Sequence, residues 1–556
     1  MPLHPSVADR LGRLAPDQRA AATAPSGPIL CVAPAGSGKT TTLVARLAWL
    51  IDSGAARPDE LLAITFNRRA AEELTERVGA AIEPLGVTPG AVRIRTFHAL
   101  GLEILRDAGQ DVEPLLDRVD VLRRVAPEAG PAGWRRLDTA FSRLKLDLDV
   151  TADEVAADPE PGQIARTFLA YEAEIAAEGG LDFDDLVARA LRLLERDALQ
   201  RDRWRARARD LLVDEAQDLD RAQLRLALLL ASPDDRIFLV GDDDQSIYGW
   251  RLADVRRVLG LTDALPGLRR VDLVVNYRCP ATVVERAVRL IGHNRARFAK
   301  TIRARADAPG PIVLAADASD EPVRMARVLE AWPDDDTSRA ILARTNRELL
   351  PAIAVALELG VPFRPPPLDL LVTSRHVDAV LQAAEGADPG LPLLARLESV
   401  RSRWAAPAPG KAQPVPDDPD ETPPVEIARA VLAWGARHRS LEELRTAIAA
   451  RRVDLERLCR DDAPLTFATA HATKGLEFDH VAVIGLDDGR FPSARSLADA
   501  PEPDRALEEE RRLAYVAWTR ARRSLTLVYD PAHPSPFLLE AFDPEELGRQ
   551  DAFGDA

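Results

Sequence analysis

Short apolar runs alternate with amphipathic helical stretches along most of this 556-residue chain, at 28–33, 61–66, 211–213, 236–240, 271–275, 340–343, 481–486 and 524–529. Apolar strands separated by helices suit a parallel sheet covered on both faces, because every parallel connection must cross over through a helix. The alternation predicts an α/β protein with two parallel-sheet domains. Two stretches break the rhythm. Residues 106–175 read as wholly helical, and 371–463 read as helical on either side of 407–424, where seven prolines predict an extended linker or exposed loop. The expected layout is a first α/β domain over 1–105 and 176–265 with a helical insertion at 106–175. A second follows over 266–370 and 464–547, with a reduced insertion at 371–463 and a frayed tail at 548–556.

Composition narrows the function classes. The sequence contains no apolar run near the roughly 20 residues needed to span a bilayer, and its first residues lack the pattern of a secretory leader, so a cytoplasmic protein is expected, with no membrane partner. Three widely spaced cysteines, Cys31, Cys279 and Cys459, suit neither a disulfide framework nor a paired-cysteine metal site. The net charge of −16 argues against non-specific coating of nucleic acid, so any nucleic-acid site must be local. Nearly all cations are arginine, and the lysines are only Lys39, Lys145, Lys300, Lys411 and Lys474.

After the first apolar run come Ala33, Pro34, Ala35, Gly36, Ser37, Gly38, Lys39, Thr40 and Thr41, then a helix. Glycines at these positions let backbone N–H groups and a helix start face phosphates. The lysine reaches the β and γ phosphates, and Thr40 holds Mg²⁺. Ala33 stands where such loops have their first glycine, and a glycine-rich turn before a helix is the bland alternative. At the end of another apolar run, Asp214 and Glu215 supply a carboxylate for Mg²⁺ and a group to polarise water. An acidic cap for the following helix is the alternative there. A third run leads into Gly241-Asp242-Asp243-Asp244-Gln245-Ser246-Ile247-Tyr248-Gly249-Trp250-Arg251.

The phosphate loop, the Asp214–Asp218 box and the Gly241–Arg251 segment together resemble superfamily 1 helicases of the UvrD, Rep and PcrA kind. The remaining motifs are present in order: Gln18, Thr65-Phe66-Asn67, Thr96-Phe97-His98, 181–186, Asn276-Tyr277-Arg278, Arg344-Thr345-Asn346, 471–478 and 515–521. The resemblance spans about residues 11–530 and implies two RecA-like motor domains, ATP and Mg²⁺, and 3′ to 5′ movement on single-stranded DNA with duplex separation. By similarity, Gln18 reads the adenine edge, Tyr277 stacks on the base, Glu477 holds the ribose and Gln245 senses the γ-phosphate. Arg278 and Arg520 are implied arginine fingers from the second α/β domain. Phe66, Tyr248 and Trp250 match strand-stacking positions, while His98, Arg251, Arg344, Asn346 and His471 sit in motifs that contact bases or backbone.

The chain departs from the family pattern at Thr41, where arginine is frequent, at Asn67-Arg68, at Leu252, where glycine is common, and at Ala517-Trp518. A cluster of Arg286, Arg289, Arg295, Arg297, Lys300, Arg303 and Arg305 reads either as a phosphate track or as a solvated helix face. The arginine-rich 201–209 run reads as surface. The short second insertion leaves a second functional class open: an ATP-gated translocase or regulatory subunit that separates strands only with a partner protein. An unrelated phosphate-loop ATPase would leave the nucleic-acid motifs unexplained.

Overall fold

The computed structural model describes residues 2–158, 161–319, 321–333, 335–366, 371–405, 424–436 and 438–547. The tail expected at 548–556 and the proline-rich segment up to residue 423 lie outside the described residues. Pro424 opens the helix Pro424–Gly435. Two compact units form, one from Met1–Arg278 with Asn294–Ala306 and the other from Cys279–His293 with Asp307–Ala556.

In chain order the strands are β1 (Ile29–Val32), β2 (Leu61–Thr65), β3 (Arg93–Thr96), β4 (Asp210–Val213), β5 (Ile237–Gly241), β6 (Arg269–Asp272), β7 (Val275–Asn276), β8 (Arg303–Ala304), β9 (Ile312–Ala316), β10 (Arg339–Ala343), β11 (Phe363–Arg364), β12 (Leu465–Thr469), β13 (Phe478–Val483) and β14 (Ala521–Tyr529). The first unit carries a six-stranded sheet ordered β3-β2-β4-β5-β1-β6, and the second a six-stranded sheet ordered β11-β12-β10-β13-β14-β9. All the pairings are parallel. Strands β1, β2, β4 and β5 are buried at every position, as expected for a sheet with helices on both faces. Cys31 in β1 is fully buried, and burial pushes its thiol well above the usual range, so it behaves as a small apolar residue.

The first unit does not end at 265. Strand β6 adds to the sheet edge beside β1, with Ile29 opposite Arg269 and Val32 opposite Asp272. Beyond it, the Asp17 carboxylate accepts the Val274 N–H at 2.8 Å, and β7 turns away to pair with β8. The apolar run 271–275 is thus divided between two short strands, and Asn276, Tyr277 and Arg278 belong to the first unit.

Each expected helical insertion has its own small core. In the first, helices Arg118–Val125, Gly130–Ser142 and Gln163–Ala177 bury Val121, Leu122, Phe141, Phe168, Tyr171 and Ile175. In the second, helices Arg375–Glu385, Leu393–Ala405, Pro424–Gly435 and Leu441–Leu458 bury Val380, Leu397, Val400, Val431 and Leu444.

The first insertion is tied to its parent unit by buried charge. Arg118 Nη2 lies 2.7 Å from both Asp182 Oδ2 and Asp184 Oδ2, and Lys145 Nζ lies 2.8 Å from Asp182 Oδ2, 3.0 Å from Asp185 Oδ1 and 2.7 Å from Glu172 Oε1. The Tyr171 hydroxyl donates to Asp182 at 2.7 Å. Removing one cation from such a cluster strands carboxylates in a dry interior. Lys145→Ala is therefore expected to cost about 3–5 kcal/mol of stability in urea or thermal unfolding, whereas an exposed arginine such as Arg13 is expected to cost under about 1 kcal/mol.

Candidate nucleotide and nucleic-acid sites

The loop after β1 is shaped by two glycines. Gly36 has φ +67° and Gly38 φ +84°, left-handed values that favour glycine. A Cβ on Gly36 would stand 2.8 Å from the Arg278 Cβ, and one on Gly38 would stand 2.6 Å from the Gln18 Nε2. The helix Lys39–Asp52 starts with Gly38 as its cap, and no side chain bonds to its first N–H groups. A helix start leaves those donors without intrahelical partners, and the axial dipole favours an anion there. The Ser37 hydroxyl is buried without a hydrogen-bond partner beside it. An uncapped helix start, an orphan hydroxyl and Lys39 together fit a polyphosphate. Ala35 is buried beneath the loop, Thr40 stands in the first turn, and Thr41, the departure noted above, accepts a hydrogen bond from Arg77 Nη2 at 3.3 Å.

Parallel pairing of β1, β5 and β4 places three loops side by side. Lys39 Nζ lies 3.0 Å from Glu215 Oε1. Glu215 Oε2 accepts from Gln217 Nε2 at 2.5 Å, and Gln217 Oε1 accepts the Asp242 N–H at 2.9 Å. Asp242 Oδ2 in turn accepts from Gln245 Nε2 at 2.6 Å. Glu215 itself holds a left-handed backbone at φ +52°, a conformation that costs a non-glycine residue about 1–2 kcal/mol and aims its carboxylate at the lysine. Asp214, whose Oδ1 accepts the Glu215 N–H at 3.0 Å, and Thr40 are the Mg²⁺ candidates.

Gln18 turns its amide onto the loop: Nε2 donates to the Ser37 carbonyl at 2.8 Å, while Oε1 accepts the Ala15 N–H at 3.0 Å. Tyr277 donates its N–H to the Gly36 carbonyl at 2.9 Å and leaves its ring 40% exposed, and the Arg278 N–H is fixed by Asn276 Oδ1 at 2.9 Å. Sequence reasoning assigned Tyr277 and Arg278 to the second α/β domain. They stand instead beside the phosphate loop, because β7 and its partner β8 are part of the first unit.

A cavity of about 880 Å³ opens in the same unit, lined among others by Phe66, His98, Phe183, Asp184, Trp250 and Arg251. Phe66 and Tyr248 stack 5.0 Å apart at 9°, Trp250 meets Tyr248 edge-on at 6.2 Å, and Arg251 lies over the Trp250 ring at 4.7 Å. Trp250 is 57% exposed and Phe183 53%. Phe183 stacks on His98 at 4.0 Å. The 181–186 motif alone assigns no role to Phe183, and its exposure on a chain poor in aromatics is the structural signal for one. Leu252 explains its own anomaly: it ends the turn Gly249–Arg251 with φ +67°, where glycine is the unstrained choice.

In the second unit, Arg344 follows β10 and His471 follows β12, and these strands are neighbours, so the two motifs emerge together. Arg344 is gripped by Glu510, with Nε 2.9 Å from both carboxylate oxygens and Nη2 2.6 Å from Oε1. Asn346 immediately precedes the turn Arg347–Leu349, without a side-chain bond to that turn's N–H groups. Arg520 is only 1% exposed, and its guanidinium donates to the carbonyls of Val516 at 2.8 Å and Leu476 at 3.2 Å. Glu477 lies 3.4 Å from Arg522.

The expected basic cluster disperses. Arg286 and Arg289 pair with Glu546 and Asp543 in the second unit, each at 2.7 Å, while Arg297 and Lys300 in the first unit face Asp242, Asp243 and Asp244. Arg297 and Lys300 fit neither a phosphate track nor a solvated helix face, since both turn inward onto carboxylates, while Arg289 is exposed on the helix Ala281–Ile291 and fits the solvated face. In the 201–209 run, Trp204 is fully buried, and Arg205 donates to the Leu229 carbonyl at 3.0 Å, so only part of that run is surface.

Residues 14–266 match the UvrD/REP helicase N-terminal domain, and 434–531 match the UvrD-like helicase C-terminal domain. The ATP-dependent DNA helicase UvrD2 of Mycobacterium tuberculosis (strain ATCC 25618 / H37Rv) is 32% identical over 92% of this chain and 77% of its own length. The chain belongs to the UvrD-like helicase family. The UvrD-like chain is also 28% identical to DNA helicase II of Escherichia coli (strain K12), over 92% of its length and 84% of the relative's. It is 27% identical to the ATP-dependent DNA helicase PcrA of Staphylococcus epidermidis (strain ATCC 12228 / FDA PCI 1200), over 92% and 82%. Among the described residues no helix is long and apolar enough to cross a membrane.

Burial pushes His98 down to about 4, and burial together with the Arg344 charge pushes His471 down to about 3, so both imidazoles are neutral at pH 7. An unfolded histidine titrates near 6.5. As pH falls below that value the unfolded chain gains protons that the folded chain refuses, so the stability from a neutral histidine is full above 6.5 and is lost on the way down to about 4. His98→Gln is therefore expected to lose less unfolding free energy than the parent chain between pH 7 and pH 5. Urea titrations at both pH values measure the difference, and equal losses would contradict a neutral His98 at pH 5.

Proposed function

We propose that this UvrD-like chain is an ATP-hydrolysing motor that moves 3′ to 5′ on single-stranded DNA and separates duplex at single-strand/duplex junctions. The observation that carries the proposal is the hydrogen-bonded chain from Lys39 through Glu215, Gln217 and Asp242 to Gln245, which lies three residues before Tyr248 of the aromatic platform. Hydrolysis and strand contact share one loop. The family match supports the reading, as do the relatives' names, which describe ATP-dependent DNA helicases.

In this reading the N–H groups of Gly36 to Thr40 hold the phosphates, and Lys39 exchanges its contact with Glu215 for the β and γ phosphates. The released Glu215 orients water and accepts its proton, helped by Gln217. Thr40 and Asp214 hold Mg²⁺, which neutralises phosphate charge. Gln18, Tyr277 and Glu477 take the adenine edge, base and ribose. Gln245 contacts the γ-phosphate, and Arg278 and Arg520 stabilise charge on the transferred group, since a planar guanidinium is always charged. Carbonyl contacts that hold Arg520 keep its guanidinium in a fixed orientation.

Phe66, Tyr248 and Trp250 form a stacking platform for bases, with His98 and Arg251 beside it and Arg344, Asn346 and His471 contacting the strand from the second unit. The same cavity is lined by Asp117, Asp214 and Asp218 and also by Arg68, Arg118 and Arg251, with Arg118 paired to Asp138 and Asp184, so it offers both charges beside the aromatic faces. Stacking contributes about 1–3 kcal/mol per base irrespective of sequence, which suits movement along any strand.

A second reading rests on the short second insertion: a translocase or regulatory subunit that unwinds only with a protein partner. Unwinding by the chain alone separates the two. With ATP and Mg²⁺, a duplex with a 3′ tail is expected to open and one with a 5′ tail is not. If neither opens while DNA still stimulates hydrolysis, the second reading holds. Lys39→Ala is expected to reduce ATP turnover to background, and wild-type turnover in that variant would refute the site. Trp250→Ala is expected to lose most of the ratio of DNA-stimulated to unstimulated turnover; an unchanged ratio would move the strand path elsewhere.

A further inference from the structure

The segment Asn294–Ala306 belongs to the first unit, although the chain on both sides of it belongs to the second. It delivers two cations to three consecutive carboxylates at the end of β5. Lys300, with its side chain 1% exposed, places Nζ 3.0 Å from Asp242 Oδ1 and 2.9 Å from Asp244 Oδ2, and it also contacts Asp243 Oδ1. Arg297 binds Asp244 through two bonds of 2.8 and 2.7 Å, and the Phe298 N–H donates to Asp243 Oδ2 at 2.8 Å. All three carboxylates are almost wholly buried. Nothing in the nucleotide chemistry above uses these cations, yet Asp242 joins both systems: Oδ1 receives Lys300 and Oδ2 receives the Gln245 amide at 2.6 Å.

We propose that Lys300 is a positioning residue for ATP hydrolysis: by holding Asp242 Oδ1 it fixes the carboxylate whose other oxygen orients Gln245. A compact ammonium with three donors meets three acceptors converging on one point, which a planar guanidinium cannot do. Asp242 Oδ1 also accepts the Asp244 N–H at 3.2 Å, but only the cation offsets the two neighbouring negative charges that oppose this rotamer in a buried setting. The inference deepens the proposed function and rests on the assignment of Gln245 to the γ-phosphate.

A cycle of four full-length chains tests it: the parent, Lys300→Met, Gln245→Ala and the double variant, each assayed for DNA-stimulated ATP turnover and for cooperative thermal unfolding. Lys300→Met is expected to lower kcat about ten-fold with the KM for ATP within about two-fold, and to add less than about two-fold to the loss already caused by Gln245→Ala. A merely structural lysine predicts multiplying losses, and that result, or parental kcat in a folded Lys300→Met chain, overturns the inference. If Lys300→Met does not fold, Lys300→Met with Asp243→Asn keeps the buried charge balance and is read by the same criteria. A slow Gln245→Ala beside an unaffected lysine variant refutes this link alone. Parental turnover in Gln245→Ala removes the γ-phosphate assignment and the link with it.

Discussion

Three buried parallel strands hydrogen-bonded in the order β4-β5-β1 govern the rest of the first unit. Parallel strands end on the same side, about 4.8 Å apart, so the loops that follow them meet without any further device. Lys39, Glu215 and Gln245 come from three such loops. What the sheet leaves loose, Gln217 ties: its amide spans from Glu215 after β4 to the Asp242 N–H after β5. A side chain with both a donor and an acceptor is needed for that bridge, and a carboxylate there would meet Glu215 with like charge.

Buried charge obeys a second rule. The lysines are few, and scarcity alone reads as a sign of function. In Lys39 it marks the phosphate loop, but Lys145 and Lys300 are counter-ions sunk among carboxylates. The places of Lys145 and Lys300 need a small point charge that several acceptors approach from different directions, whereas Lys39 meets Glu215 alone among the described residues. Rarity of a residue type therefore identifies a local geometric demand, and only the surroundings say whether that demand is catalytic. Burial, with Asp244 and Asp242 nearby, pushes the Asp243 carboxyl up even beside Lys300.

The motifs after β1, β4 and β5 were legible because each combines an apolar run with residues whose spacing is fixed by a turn. Strand β3 was not: Arg-Ile-Arg-Thr has one apolar position buried and lies at a sheet edge, where polar side chains are tolerated. The α/β class followed from the runs, while the return of Asn294–Ala306 to the first unit could not, because local pattern carries no information about which sheet a later segment rejoins. Misplacing Tyr277 and Arg278 followed from the same blindness: the run 271–275 looks like the opening strand of a new domain and is in fact shared by β6 and β7. Phe183 and the arginine cluster show the converse limit, since a residue's type suggests what it can contact but not what surrounds it.

The aromatic platform adds a constraint on how a strand is held. Phe66 and Tyr248 already lie face to face at 5.0 Å, as do His98 and Phe183 at 4.0 Å, so neither pair leaves a slot for a base between its own rings. On the proposed reading, bases stack on outer faces, above all on Trp250, the most exposed ring of the Phe66, Tyr248 and Trp250 set. Tyr248 and Trp250 lie on the loop after β5, which begins with the carboxylates held by Lys300 and includes Gln245. Only two residues of backbone separate Gln245, held by Asp242, from Tyr248 of the platform, a shorter covalent route than any through the sheet.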